Sequence, residues 1–267
     1  MSLTLGGGPL AAKVRGETNY AVEGPKNRIL FMSFPRRLRA LVGGEVVADT
    51  ESAMLLHETN ILPVAYFPIA DVDFDLLTAT DHTTHCPYKG DAAYWSIQAG
   101  GERRENAVWG YPEPTESAPW LVDHVAFYWD RVDTWLDEDA EVRGHLTDPF
   151  HRVDIRPTSK RIAVAIKGEA VATTSAALVV SETGLPNRYY LPEEDIDAGL
   201  FERSATTTHC PYKGDTIYWN FLGREPSNLV DVAWSYPTPF DESLALAGHW
   251  SFLGDDVEIT VLPEEQR

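Results

Sequence analysis

The sequence predicts an all-β protein built from two tandem copies of one antiparallel domain, with helix confined to short turns. Three observations carry this. The nine residues Thr83-Thr84-His85-Cys86-Pro87-Tyr88-Lys89-Gly90-Asp91 recur letter for letter as Thr207-Thr208-His209-Cys210-Pro211-Tyr212-Lys213-Gly214-Asp215, an offset of 207 − 83 = 124. Self-similarity at a fixed period marks a duplicated structural unit. Short segments alternate apolar with small or polar residues, at the period of two of a half-buried strand. Nineteen Gly and 18 Pro punctuate them, as the turns of a sandwich or partly open barrel require.

The repeat sets the domain organisation. The same offset aligns Gly44-Glu45 with Gly168-Glu169, Glu58-Thr59 with Glu182-Thr183, Asp71-Val72-Asp73 with Asp195-Ile196-Asp197 and Tyr94-Trp95 with Tyr218-Trp219. It then becomes 125, matching Trp109-Gly110-Tyr111-Pro112 with Trp234-Ser235-Tyr236-Pro237 and His124 with His249. Between Trp95 and Trp109, Gln98-Ala99-Gly100-Gly101 reads as a hairpin turn, the place where an insertion is tolerated. Residues 1–26 have no counterpart and read as an N-terminal arm. Residues 27–148 and 149–267 read as the two repeat domains, each of ordinary domain size. Such a pair resembles a fused homodimer, so the domains are expected to pack about a pseudo-two-fold axis within a monomer.

Within each copy the elements follow in order. Residues 37–42, Gly43-Gly44 and 45–48 read as strand, tight turn, strand, and 162–166 repeats the first of these. Residues 52–56 are the one stretch that fits a helical turn, although their copy, 176–180, reads as a strand. Asp71-Val72-Asp73-Phe74-Asp75-Leu76 alternates acid with apolar residues and reads as a strand. Residues 93–97 and 106–109 form the arms of a hairpin, and 124–129 a further aromatic strand.

Composition bounds the function. Acids outnumber bases 41 to 22, a net charge of −19. This argues against nucleic acid or an anionic membrane surface as main partner, since both need basic patches. No apolar run reaches the ~20 residues of a spanning helix, and the N-terminus lacks a basic segment followed by an apolar one, so a cytoplasmic location is expected. Two Cys exclude a disulfide scaffold and a four-thiolate zinc site.

Comparing the copies isolates the motif. Core positions exchange freely, Leu38 against Ile162 and Val72 against Ile196, as similar volumes permit. The nine-residue stretch does not exchange at all, yet holds both Cys, two of the six Lys and two of the eight His. Pro87 and Gly90 suit a tight turn, Asp91 a side-chain cap and Cys86 a small buried residue. A purely structural signature does not account for His85, Lys89 and Asp91 persisting together. Their copies are His209, Lys213 and Asp215. A thiol nucleophile at Cys86 and Cys210 is the catalytic alternative, with Lys89 lowering the thiol pKa. On a strand His85 and Cys86 face opposite ways, which disfavours a direct thiolate–imidazole pair. One His and one Cys per repeat fall short of a metal shell, so no metal or cofactor is expected. Asp71-x-Asp73 fits Mg²⁺ on a strand, but in so acidic a chain it also fits a solvated face. No phosphate-binding Gly loop or nucleophile elbow occurs.

Tyr94, Trp95, Trp109 and Tyr111 recur as Tyr218, Trp219, Trp234 and Tyr236. They suit core packing or an aromatic pocket for a flat or cationic small molecule.

These residues carry a resemblance. T-H-C-P-Y-K-G-D-x-x-Y-W, after a Glu-Thr and a Tyr-Phe-Pro segment and before W-x-Y-P, resembles the bacterial "domain of unknown function 427" family, twice. The resemblance implies a β-tent, two antiparallel sheets meeting at an angle. Relatives of that fold carry paired C-x-x-C zinc sites, which this chain lacks. A nucleotidyltransferase-like label attached to the family finds no supporting residue pattern here.

The expected function is small-molecule binding beside each motif loop. The ligand would meet His85, Tyr88, Lys89, Trp95 and Trp109 in the first copy, and His209, Tyr212, Lys213, Trp219 and Trp234 in the second. The alternatives are the thiol enzyme, with a nucleotidyltransferase-like activity beside it, and an interaction protein without a ligand. The first copy, with His57, His82, Glu105 and Asn106 against Ser181, Thr206, Val230 and Asp231, is expected to be the more active.

Overall fold

The computed structural model describes residues 17, 19, 24–223 and 229–263. The arm expected over 1–26 lies almost wholly outside them. The chain divides into two compact units, Met1–Asp148 and Pro149–Arg267. Among the described residues helix is limited to 3-10 turns of three to six residues, and no helix is long and apolar enough to cross a membrane.

The first unit contains β1 (Ile29–Ser33), β2 (Leu38–Val42), β3 (Glu45–Thr50), β4 (Met54–Glu58), β5 (Val64–Pro68), β6 (Leu77–Cys86), β7 (Gly90–Ala99), β8 (Glu102–Pro114), β9 (His124–Phe127), β10 (Thr134–Asp137) and β11 (Ala140–Val142). They form two antiparallel sheets, ordered β1-β4-β5-β9-β8-β7-β6 and β11-β10-β2-β3. The second unit contains β12 (Val153–Pro157), β13 (Arg161–Ile166), β14 (Glu169–Thr174), β15 (Leu178–Glu182), β16 (Arg188–Pro192), β17 (Phe201–Cys210), β18 (Gly214–Phe221), β19 (Leu229–Ser235), β20 (His249–Phe252) and β21 (Val257–Leu262). Its sheets, β12-β15-β16-β20-β19-β18-β17 and β14-β13-β21, repeat the first unit strand for strand among the described residues, the positions equivalent to β11 lying outside them. Two antiparallel sheets per unit is the layout that the resemblance implies.

Strand alternation builds two apolar clusters per unit. Leu38, Ala40 and Val42 of the small sheet pack on Phe67, Ile97 and Phe127 of the large one. On the opposite face of the large sheet, Leu56, Tyr66, Tyr94, Tyr111 and Leu121 form a second cluster. Neighbours in sequence therefore belong to different clusters, Tyr66 to one and Phe67 to the other. The second unit repeats both, around Ile162, Leu191 and Phe252 and around Tyr190, Tyr236 and Leu246.

Two expectations need correction. Residues 52–56 do not form a helical turn. Strand β4 begins at Met54, and Leu55 and Leu56 serve opposite clusters. Residues 71–76 are not a strand but lie on two 3-10 turns, Ile69–Asp71 and Phe74–Leu76. The Asp73 side chain accepts from the Asp75 N–H at 3.1 Å, a local bond that competes with strand pairing. Only Val72 keeps a bridge, to Ala48. The carboxylates of Asp71 and Asp73 are thus not aligned on a strand face, and Asp71 accepts from the Thr50 hydroxyl at 2.5 Å. The first unit's hairpin turns at Gly100-Gly101, both at positive φ. Most of its counterpart lies at 224–228, outside the described residues.

Gly90 and Gly214 close the motif turn at φ +109° and +105°. A Cβ at 90 would meet the Glu113 carbonyl oxygen at 2.9 Å, and one at 214 the Thr238 carbonyl oxygen at 3.2 Å. Gly90→Ala is expected to destabilise by about 1–3 kcal/mol, through backbone strain and this contact. Gly214→Ala should cost less. Chemical denaturation of the two variants checks the size and the order.

Candidate functional site

The motif sits on the β6–β7 hairpin. Thr84 faces Ala92, His85 faces Asp91 and Cys86 faces Gly90, and the second unit repeats this register. The Lys89 N–H donates to the Cys86 carbonyl at 3.2 Å and closes the turn. Alternation then splits the motif between two faces. The Thr84 and Tyr94 hydroxyls meet at 2.8 Å, and Cys86 packs in the cluster of Tyr66 and Tyr111. His85 and Asp91 pair across the strands at 2.6 Å with side chains 68 % and 77 % exposed. A pair so exposed contributes about 0–1 kcal/mol and acts as a hairpin clamp. His209 and Asp215 repeat it at 2.8 Å.

Lys89 joins a different group. Its Nζ donates to Glu58 Oε2 at 2.6 Å, the two side chains being 12 % and 8 % exposed. Lys213 donates to Glu182 at the same distance, at 7 % and 9 %. The glutamates end β4 and β15. In a flat sheet β4 and β7, four strands apart, would stand about 19 Å from each other. The ion pair therefore requires the seven-stranded sheet to curl over its tyrosine cluster, and it ties the motif hairpin to the far side of that curl.

Each pair has a third member, and here the copies differ. Asn27 donates to Glu58 Oε1 at 2.6 Å. At the equivalent position His151 lies 3.6 Å from Glu182, its ring packed on Tyr212 at 4.2 Å. Burial pushes the Glu182 carboxyl up, but His151 and Lys213 outweigh it and hold the group at about 2. Burial pushes the hydroxyls of Tyr66, Tyr111, Tyr190 and Tyr236 well above the ordinary tyrosine value. They remain protonated at neutral pH. Lys89 and Lys213 each lie 5.8 Å from the ring centre of Tyr111 or Tyr236. The Trp234 indole donates to the Tyr190 hydroxyl at 3.1 Å.

In the second unit this cluster opens into a cleft of about 340 Å³. Glu182, Tyr190, Lys213, Tyr218, Trp234 and Tyr236 line it together with Leu185, Arg188, Asp231 and Leu253. The first six recur as Glu58, Tyr66, Lys89, Tyr94, Trp109 and Tyr111, and the other four become Ile61, Val64, Asn106 and Tyr128. Tyr128 packs on Trp109 with ring centres 4.6 Å apart, whereas Leu253 is 57 % exposed.

The sequence-predicted site residues are thus divided. Lys89 and Trp109, like Lys213 and Trp234, share the tyrosine face. Trp95 and Trp219 do not join them. They pack into the core between the sheets, against Phe74 at 5.9 Å and Trp250 at 3.7 Å. Tyr88 is exposed, and its carbonyl accepts from the Thr115 and Ser117 hydroxyls. Cys86 and Cys210 are free, half-buried thiols. The Lys89 ammonium, which the sequence suggested for thiol activation, is engaged by Glu58. His57 is fully buried, and burial pushes its imidazole below the ordinary value. Among the described residues no three His, Cys, Asp or Glu gather into a metal shell.

Glu58 and Glu182, with Tyr66 and Tyr190, escaped the sequence reading as site residues. Their signal was present, since Glu58-Thr59 and Glu182-Thr183 align at the common offset.

Residues 31–138 and 154–262 match the family model described as Domain of unknown function (DUF427). No curated protein matches the chain. Each matched segment runs from the first strand of one unit to the last strand that the units share. With most of its length covered by two successive matches, the chain belongs to the DUF427 family as a tandem pair.

Proposed function

We propose that each unit is a small-molecule-binding module whose ligand sits over the Glu–Lys pair. One observation carries this reading. The core exchanges freely between the copies, yet six of the ten residues lining the second unit's cleft recur in the first. Packing alone tolerates exchanges of similar volume. Identical side chains converging on one cleft suit ligand recognition, and 340 Å³ falls within the usual ~300–1,000 Å³ of such sites.

The test is a fragment screen by thermal shift on the full chain, with native mass spectrometry for a carried ligand. Fragments are expected to bind, and Trp234→Leu to abolish those seated in the second unit. No hit, or hits indifferent to both Trp109→Leu and Trp234→Leu, would reject the reading. The thiol-enzyme alternative makes a separate demand, fast alkylation of Cys86 or Cys210 by iodoacetamide at neutral pH. As a further proposal the chain is a monomer. Light scattering is expected to give 29.7 kDa, and twice that mass would refute it.

A further inference from the structure

We infer that the cleft of the second unit takes a zwitterionic amino acid with a flat side chain. Its ammonium meets Asp231, its carboxylate meets Arg188, and its ring lies against Trp234. This rests on the binding reading above and adds the chemistry of the ligand.

Asp231 supplies the first observation. Its Oδ2 accepts from the Thr206 hydroxyl at 2.8 Å, while its Oδ1 is buried with no hydrogen-bond partner. Buried acceptors are seldom left so, and an orphaned one costs about 1–3 kcal/mol, more when charged. The residue is held in place. Its φ is +57°, a left-handed conformation that Asp and Asn tolerate, and its N–H donates to Asn220 Oδ1 at 3.0 Å. A carboxylate oxygen already stripped of water and of donors gains most from an incoming N–H group. Asp231 lines the cleft, and its carboxylate χ2 torsion is soft, so the group can turn to meet a donor there.

Arg188 supplies the second. Its guanidinium lies 5.3 Å from the Trp234 ring centre, and among the described residues no carboxylate pairs with it. It presents a planar fork suited to a carboxylate. Arg188 and Asp231 thus line the same cleft with opposite charges and are not paired to each other. A zwitterion satisfies both at once, and Trp234 offers a flat ring a face to stack on.

The first unit lacks each feature. Val64 replaces Arg188. Asn106 replaces Asp231, and its Oδ1 accepts from the Thr80 hydroxyl at 2.6 Å. Tyr128 covers Trp109. The selective site is therefore assigned to the second copy, against the expectation from the sequence.

Isothermal titration of the full chain with L-phenylalanine, L-tyrosine, L-tryptophan and L-histidine tests this. N-acetyl-L-phenylalanine, which lacks the cation, and L-phenylalaninamide, which lacks the carboxylate, are the controls. At least one of the four amino acids is expected to bind at one site per chain. L-Phenylalanine should bind at least tenfold more tightly than either control. Asp231→Asn should erase the preference over the acetyl compound, and Arg188→Val the preference over the amide. Both substitutions install the first unit's own residue, Asn at φ +47° and Val within β5, so both should fold. Binding at two sites per chain, equal affinity for phenylalanine and its controls, or no binding of any of the four would overturn the inference. An uncharged fragment that binds and is lost in Trp234→Leu would leave the broader reading standing while this one falls. No fragment binding at all would remove both.

Discussion

Lys213→Ala is expected to cost about 3–5 kcal/mol, because it leaves a buried carboxylate without its cation. Among the described residues Glu182, with its side chain 9 % exposed, would keep only His151, at 3.6 Å. Lys89→Ala should do the same to the first unit, where Glu58 would lose the Lys89 ammonium and keep its hydrogen bond from Asn27. The doubly apolar variant Lys213→Met with Glu182→Leu is expected to recover most of the loss. Replacing both members of a buried pair by apolar groups of similar volume is often neutral or stabilising. The cycle of two single variants and one double variant, followed by chemical denaturation, isolates the coupling. Single losses under about 1 kcal/mol would mean the pair is screened like a surface contact and does not hold the curl of the sheet. The double variant also separates structure from binding. A stable fold that has lost its fragment hits assigns the pair to the ligand, and one that keeps them assigns it to the scaffold.

The fold was legible because duplication gives each position a second reading within one chain. Core strands showed themselves by alternation, as in Ile162-Ala163-Val164-Ala165-Ile166, whose burial alternates along β13. The failures were local. Asp71-Val72-Asp73-Phe74-Asp75-Leu76 has a perfect period of two, but Asp73 hydrogen-bonds the nearby backbone and turns the chain instead. Met54-Leu55-Leu56 has helix-forming residues, yet tertiary burial on both faces makes it a strand.

The site was half legible. Strand geometry correctly sent His85 and Cys86 to opposite faces, and the same rule applied to Tyr94-Trp95 would have removed Trp95 from the cleft. What could not be read was the partner of Lys89. Glu58 is 89 − 58 = 31 residues away, and the two meet only because the large sheet curls. The repeated nine residues thus mix two causes. His85, Gly90 and Asp91 answer to the hairpin, while Lys89 answers to Glu58 and the tyrosine face. The four lining positions that differ between the copies carry the other lesson. Val64 against Arg188 carried no signal in the sequence, and Asn106 against Asp231 counted there in favour of the first copy. Only the cleft reveals that they change its charge.

Acid is expected to weaken the two units in different windows. In the first unit burial pushes His57 and His124 below the ordinary imidazole value of 6.5, outweighing the raising influence of Asp148 on His57 and of Trp120 and Asp123 on His124. The folded unit keeps these rings neutral while the unfolded chain takes up protons. Their contribution is therefore fully present above pH 6.5 and is lost as pH falls below it. In the second unit Ser181 replaces His57. There Glu182 is held at about 2 against 4.5 unfolded. Its contribution, on the order of 3 kcal/mol, is fully present above pH 4.5 and lost between 4.5 and 2. Calorimetry from pH 8 to pH 3 should show the first unit's transition begin to fall as the pH drops below 6.5, while the second's holds until below 4.5. Gly90→Ala and Gly214→Ala, which lower one transition each, assign them. His57→Ser should flatten the upper window, and Glu182→Gln the lower one. If the second unit weakens first, or His57→Ser leaves the slope just below pH 6.5 unchanged, the buried imidazole is not what titrates.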